Sequence, residues 1–290
     1  MRPPEVITEE VCEDLPARMA RPPGEALRLY WLGQAGFVIE GAGRRLVVDP
    51  YLSESLAEKY RGTRFPHIRM MPPPVTADGI AHVDAVLSTH AHTDHLDPGT
   101  LPALMAANPQ AVLVAPASAR EKALERSGIA EERLVAVDAG ERREPLPGLV
   151  LTVTRAAHES LERDADGRHL FLGMAVDLCG RRIFHSGDTV PFPGQAEEVA
   201  ALRADLALLP VNGRDAFRAA NGVPGNMDVG EAVALARATG IGTVIAHHFD
   251  LFAFNTVPRE TIGRFARHEE SVYLKAARLG VSYRVQPVVS

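Results

Sequence analysis

The chain has 290 residues, 46% hydrophobic and 23% charged, the make-up of a globular protein long enough to bury one large core. Its formal net charge of −6 leaves no basic footprint for RNA or DNA. Two cysteines, Cys12 and Cys179, are too few for a disulfide framework, and neither a signal-like start nor an apolar run of membrane-spanning length is present, so the expectation is a cytoplasmic protein without a nucleic-acid or membrane partner.

Residues 1–25 mix Pro, Glu and Arg and read as an irregular leader, with the folded domain running over 26–290. Strand-like runs follow at Leu27–Leu32, Phe37–Glu40 and Arg45–Val48, punctuated by glycines as hairpins are. From Pro50 to Asp78 the pattern dissolves, and Met70-Met71-Pro72-Pro73-Pro74 excludes a regular element. A loop of that length suggests the wall of a site. Asp84–Ser88 is a short strand, Pro98–Ala107 a helix, Ala111–Ala115 a strand, Ala117–Gly128 a helix closed by glycine, and Leu134–Val137 a strand. Leu149–Thr154, Leu170–Leu178, Arg182–Phe184 and Asp205–Pro210 read as strands, with Arg142-Arg143 and Arg181-Arg182 as solvated turns. Asp228 and Glu231 form a capping-box start to a helix ended by Gly240. Thr243–Ala246 is a strand, Pro258 to about Leu279 a long amphipathic helix, and Val281–Val285 a last strand. No internal repeat is visible, and the mixture predicts a single α/β domain.

Thr89-His90-Ala91-His92-Thr93-Asp94-His95 carries the chemistry, because imidazole and carboxylate at this density are ligands for Lewis-acidic metals. In extended backbone His90 and His92 face the same way, whereas on a helix they would diverge. Four ligands within six residues exceed the three that an open catalytic ion usually takes from the protein, which favours two metals. Further ligands are then expected where strands end: His158, Asp188 behind the turn-forming Gly187, and one of His247 and His248, since neighbouring strand residues face opposite ways. His67, His82, His169 and His268 show no ligand spacing, His185, three residues before Asp188, suits a structural role or a place behind the ligands, and Trp31 suits the core.

This ordered set, H-x-H-x-D-H, then His, Gly-Asp and His, resembles the metallo-β-lactamase superfamily over about Leu27–Val285. The resemblance implies a four-layer αβ/βα sandwich. It assigns His90, His92 and His158 to one metal, and Asp94, His95 and His248 to the other, with Asp188 bridging. It also implies that Asp49, before Pro50, supports the His loop from behind. Asn212-Gly213-Arg214, Gly225-Asn226-Met227-Asp228 and His248-Phe249-Asp250-Leu251-Phe252 are similar to the L-ascorbate-6-phosphate lactonase group. By that resemblance Asn212 and Arg214 contact substrate, although Asn212-Gly213 also suits a tight turn and Arg214 a solvated surface charge.

The expected function is a binuclear hydrolase opening a sugar-acid (phosphate) lactone through a metal-bridging hydroxide, with Asp94 as both ligand candidate and proton acceptor. A phosphodiesterase of the same superfamily is the alternative, and a non-catalytic metal-binding protein the alternative of another class. The all-nitrogen and oxygen donor set suits Zn²⁺, Mn²⁺ or Fe²⁺; zinc is the default and the lactonase resemblance favours manganese. The expected partner is a small substrate, phosphorylated or unphosphorylated, and the sequence leaves both a monomer and a homo-oligomer open.

Overall fold

The computed structural model describes residues 6–286. In chain order the first half runs β1 (Ile7–Val11), α1 (Leu15–Met19), β2 (Arg28–Gly33), β3 (Gly36–Gly41), β4 (Arg44–Val48), α2 (Ser55–Lys59), β5 (Ala85–Leu87), α3 (Leu101–Ala107), β6 (Val112–Pro116), α4 (Arg120–Ser127) and β7 (Leu134–Val137). The second half runs β8 (Arg142–Leu146), β9 (Leu149–Arg155), β10 (Leu172–Leu178), β11 (Arg181–His185), α5 (Gln195–Leu202), β12 (Leu206–Pro210), α6 (Ala216–Ala220), α7 (Val229–Thr239), β13 (Thr243–His247), α8 (Arg259–His268), β14 (Tyr273–Ala276) and β15 (Val281–Val285).

Two mixed sheets form, ordered β1-β15-β2-β3-β4-β5-β6-β7 and β14-β13-β12-β11-β10-β9-β8. Each contains an antiparallel meander that continues into parallel strands: β2-β3-β4 then β5-β6-β7, and β9-β10-β11 then β12-β13-β14. The topology therefore repeats although the sequence does not. Strand alternation sorts the side chains. Leu29, Trp31 and Phe37 enter a core shared with Leu151, Val153 and Met174 of the other sheet, while Tyr30, Leu32 and Val38 pack with Leu101, Leu104 and Met105 of α3. Val199, Val233 and Ile262 of α5, α7 and α8 close the opposite side. Helices cover the outer face of each sheet, giving the αβ/βα sandwich in one domain.

Three expectations need correction. The supposed leader is structured between Ile7 and Met19: β1 pairs with β15 from Ile7↔Val285 to Val11↔Val281, and Asp14 caps α1 through the Ala17 amide at 2.9 Å. Buried Arg45 fastens the chain that follows, donating to the carbonyls of Met19 (2.6 Å) and Arg21 (2.8 Å) and to Glu40 (Nε–Oε1, 2.8 Å). The pairing partner lies at the other end of the chain, so no local pattern announces it. The long helix from Pro258 stops at His268, because the Glu269 carboxylate gathers the amides of Ser271 (2.7 Å) and Val272 (3.1 Å) into a turn that starts β14. The arginine pairs are not turns: Arg142-Arg143 lies in β8, and Arg181-Arg182 in β11, where Arg182 pairs with Asp177 and Arg181 with Asp205. No helix among the described residues is long and apolar enough to cross a membrane.

Candidate metal centre

Every metal-ligand candidate, and Asp49 that supports them, stands just beyond the carboxyl end of a strand. Asp49 follows β4, the His90–His95 loop follows β5, His158 follows β9, Asp188 follows β11 and His248 follows β13. Within each sheet these strands run the same way, so their carboxyl ends gather the side chains at one edge of the sandwich.

Three groups of side chains there converge to within 4.8 Å: His90, His92 and His158; His90, His95 and Asp188; and Asp94, His95 and His248. Asp188 links the two sides, with one oxygen 3.4 Å from His158 Nε2 and 3.0 Å from His248 Nε2, and the other 3.4 Å from His95 Nε2. Asp94 Oδ2 lies 3.7 Å from His95 Nε2 and 3.8 Å from His248 Nε2. Two ligands about 2.1 Å from one ion at the tetrahedral angle stand roughly 3.4 Å apart, which these separations match. His90 Nε2, His95 Nε2 and Asp188 Oδ1 are buried without a hydrogen bond of good geometry, which natural structures rarely tolerate. The all-nitrogen and oxygen donor set fits divalent ions of the zinc, manganese and iron group.

Electrostatics sets the ligands in their binding forms. Burial, reinforced by His95 and His92, holds His90 well below the usual imidazole range, and burial beside His158 brings His92 to about 4. Burial alone would raise the two carboxylates, but His248 and His95 around Asp188, and His95 beside Asp94, outweigh it and keep both ionised. His95 is the exception: burial opposes its charge, yet Asp188, Asp49 and Asp94 together push it well above the ordinary range. A cation at this position takes over the charge that the His95 proton otherwise supplies.

The support of the loop is largely Asp49. It accepts from the Thr89 amide (2.8 Å), the Thr89 hydroxyl (2.7 Å) and His95 Nδ1 (2.8 Å). The last bond keeps a proton on Nδ1, so the proton that a bound cation would displace is the one on Nε2, which faces Asp94 and Asp188. The Gly187 turn also fits expectation: at φ +61°, a Cβ would stand 2.5 Å from the Leu172 carbonyl oxygen and 3.0 Å from Thr89 Cβ. His248, rather than His247, reaches the centre because the chain turns left-handed there, at φ 65°. His247 stays buried and stacks on His185, whose Nε2 donates to the Ala35 carbonyl at 2.9 Å.

Three contributors were not legible. Gln34 donates to Asp94 Oδ2 at 2.9 Å and lies 3.2 Å from His248 Nε2, and Trp31 Nε1 holds the Gln34 carbonyl at 3.0 Å. Phe171 packs against His90, His92 and His158 with centroids 5.1, 5.6 and 5.2 Å away. Arg126 clamps the His loop through the carbonyls of Ala91 (2.7 Å) and Leu96 (3.0 Å). None has ligand spacing; only the Gly33-Gln34-Ala35-Gly36 turn hinted that Gln34 leaves the sheet.

A cavity of about 650 Å³ opens on the centre, walled partly by the Pro50–Asp78 segment, as expected, through Leu56, Lys59, Tyr60, Arg64, Phe65 and His67. His67 is therefore not a bystander: it stacks on Tyr60 at 4.2 Å and meets Phe252 edge-on. The substrate-contact expectations fare differently. Arg214 is not among the lining residues; its fork is filled by Glu231 (2.6 and 2.8 Å) and its remaining reach by the Asn226 carbonyl (3.2 Å). Asn212 is buried one layer back, donating to Asn255 (2.8 Å), which does line the cavity, and accepting from Asn226 (3.1 Å).

A family model described as beta-lactamase superfamily domain matches residues 44–249, which span every candidate ligand and Asp49. The chain belongs to the beta-lactamase superfamily. Among curated proteins it is similar to a UPF0173 metal-dependent hydrolase of Methanoculleus marisnigri, 28% identical over 269 residues, covering 90% of this chain and 98% of that one. A protein of the same description from Saccharolobus solfataricus is 27% identical over 187 residues, covering 64% and 72%. Among solved structures the fold is similar to an isothiocyanate hydrolase from Delia radicum gut bacteria, at TM-score 0.71 and 19% identity, covering 89% of this chain and 99% of that one. It is also similar to CmlA, a diiron beta-hydroxylase from Streptomyces venezuelae, at TM-score 0.64 and 17% identity, covering 91% and 55%. The superfamily fold thus hosts more than one chemistry, and the reaction has to be argued from the site.

Proposed function

We propose that this superfamily member is a metal-dependent hydrolase whose two-ion centre opens the ring ester of a small sugar-acid lactone. The observation that carries the reading is the pair of ligand groups joined by Asp188 on the floor of an open cavity. His90, His92 and His158 would hold one ion, and Asp94, His95 and His248 the other. Divalent ions held there supply Lewis acidity toward a carbonyl oxygen and make water acidic enough to deliver hydroxide near neutral pH.

The chain's own residues supply orientation and proton handling. Asp49 and Thr89 fix the His95 ring, and Gln34 fixes Asp94 against His248. Asp94 and Asp188 both line the cavity, but the Asp94 side chain is 16% exposed against 4% for Asp188, so Asp94 would be the carboxylate that meets attacking water. It would accept the proton of that water and return it to the ring oxygen as the acyl C–O bond breaks. Tyr60, His67 and Phe252 offer ring faces to the carbon skeleton of the substrate. The similarity around Asn212, Asn226 and His248 to the L-ascorbate-6-phosphate lactonase group supports a lactone, and the metal-dependent hydrolase description of the curated relatives supports the reaction class.

Protein loaded with Zn²⁺ or Mn²⁺ and offered sugar-acid lactones in a pH-stat should open them, with two metal equivalents per chain by elemental analysis. No ring opening with either metal would remove the substrate class and leave the centre. A small phosphodiester is the second reading, favoured by the cations on the cavity wall, Lys59, Arg64, Lys122 and Arg126. Turnover of a chromogenic phosphodiester that disappears in His92→Ala would shift the assignment to it. A purely structural metal site, by contrast, is closed by its ligands rather than exposed to a cavity.

A further inference from the structure

The chain contains only three lysines, Lys59, Lys122 and Lys275. Lys275 pairs with Glu9 at 3.9 Å. The other two both line the cavity above the metal centre, and among the described residues neither has a carboxylate at ion-pair distance. Lys59 ends α2 with its ammonium over the Tyr60 ring at 5.1 Å, and Lys122 stands four residues before Arg126 on the same face of α4.

Charge around the cavity is one-sided. Apart from the ligand carboxylates Asp94 and Asp188, its lining has no acidic residue, in a chain whose net charge is −6. Arg126 is committed to the Ala91 and Leu96 carbonyls. Arg64 is held at the mouth by Asn221 (2.6 Å) and by the Phe65 and Phe217 rings, with donors left over. Unpaired cations on a concave wall focus a positive potential, and ions in the centre would add to it. Such a wall penalises a cation, is indifferent to a neutral ligand and attracts an anion.

Resting on the hydrolase reading, we infer that the substrate carries an anionic group, phosphate or carboxylate, remote from the bond that is broken, and that Lys59 and Lys122, with Arg64, form its seat. This relocates the anion contact from Arg214, whose fork Glu231 occupies and which does not line the cavity, to the lysines that α2 and α4 bring to the lining.

The test compares gluconolactone, its 6-phosphate, and glucarolactone, which has a carboxylate in place of the terminal hydroxymethyl group. It uses the metal-loaded wild type and the K59M/K122M double variant, which keeps the side-chain stems. In the wild type, kcat/KM for a charged lactone should exceed that for gluconolactone at least about tenfold, through KM and with strong salt sensitivity. The double variant should lose about tenfold or more of that ratio. Preference for the phosphate identifies a phosphoester, and preference for glucarolactone a carboxylate. A wild-type ratio near one, or a ratio unchanged in the variant, overturns the proposal. If no lactone is opened the reaction class fails on its own, and calorimetric titration of both metal-loaded proteins with glycerol 3-phosphate still decides: the metals are common to both, so weaker binding by the variant upholds the lysine seat and equal affinities refute it.

Discussion

Asp49→Asn tests the link between tautomer and metal binding. The change is isosteric, so the packing around the loop survives, but an acceptor oxygen becomes an NH₂ donor. Asp49 now accepts three hydrogen bonds, from the Thr89 amide, the Thr89 hydroxyl and His95 Nδ1. Asn can serve the amide with its oxygen, and the Thr89 hydroxyl can rotate to accept, but His95 must then present a lone pair at Nδ1. That moves its proton to Nε2, the atom that faces Asp94 and Asp188. Losing such an orienting partner lowers metal affinity about 10–100-fold, equivalent to about 1.4–2.8 kcal/mol. One poorly served buried donor adds about 1–3 kcal/mol of destabilisation in the metal-free protein. Calorimetric titration of metal-free D49N should show one metal equivalent weakened by that factor while the His90, His92 and His158 group binds nearly as before. Two equivalents bound with wild-type affinity would refute the argument.

His92→Ala should remove one metal equivalent and lower turnover by at least about 100-fold while the fold is retained, because His92 faces the cavity rather than the core; elemental analysis and steady-state kinetics check it. Arg45→Ala leaves Glu40 with only the partly exposed Arg18 and the Tyr30 hydroxyl, and takes the donor from the Met19 and Arg21 carbonyls; at about 1–3 kcal/mol for each poorly served buried group it should destabilise the fold by about 3 kcal/mol, read by urea unfolding, without changing metal stoichiometry. Gly187→Ala should weaken binding of both metals, since its Cβ would collide with the Leu172 carbonyl and displace Asp188; similar affinities by chelator competition would contradict it. The metal-free protein should lose stability as pH falls from about 6.5, the ordinary imidazole value. Burial lowers His90, His92, His185 and His247, so below that pH the unfolded chain binds more protons than the native one. Raised His95 acts oppositely, with a contribution present at low pH and lost as pH rises through its folded value, but it is one group against four. A denaturation midpoint flat between pH 7 and 5 would count against this balance.

The candidate ligands could be named because metal coordination calls for particular side chains at strand ends, and the structure brings all seven together: four from H-x-H-x-D-H, His158 and His248 past strand ends, and Asp188 behind Gly187. The strands themselves followed from local alternation, and β7 and β15 lie where the pattern placed them. What local pattern could not contain is pairing across the chain. β1 exists because Ile7–Val11 meets Val281–Val285, and Gln34 matters because the β2–β3 turn arrives beside Asp94 and His248. The choice of His248 over His247 came from a left-handed backbone at the strand end, which strand alternation alone does not specify. Arg214 shows the same limit from the other side: guanidinium chemistry suits an anion, but whether it meets substrate or Glu231 depends on where α7 begins. Sequence by itself determined the fold class and named the candidate donors, since those depend on residue type and period; tertiary structure decided which walls face the cavity, since that depends on contacts between distant segments.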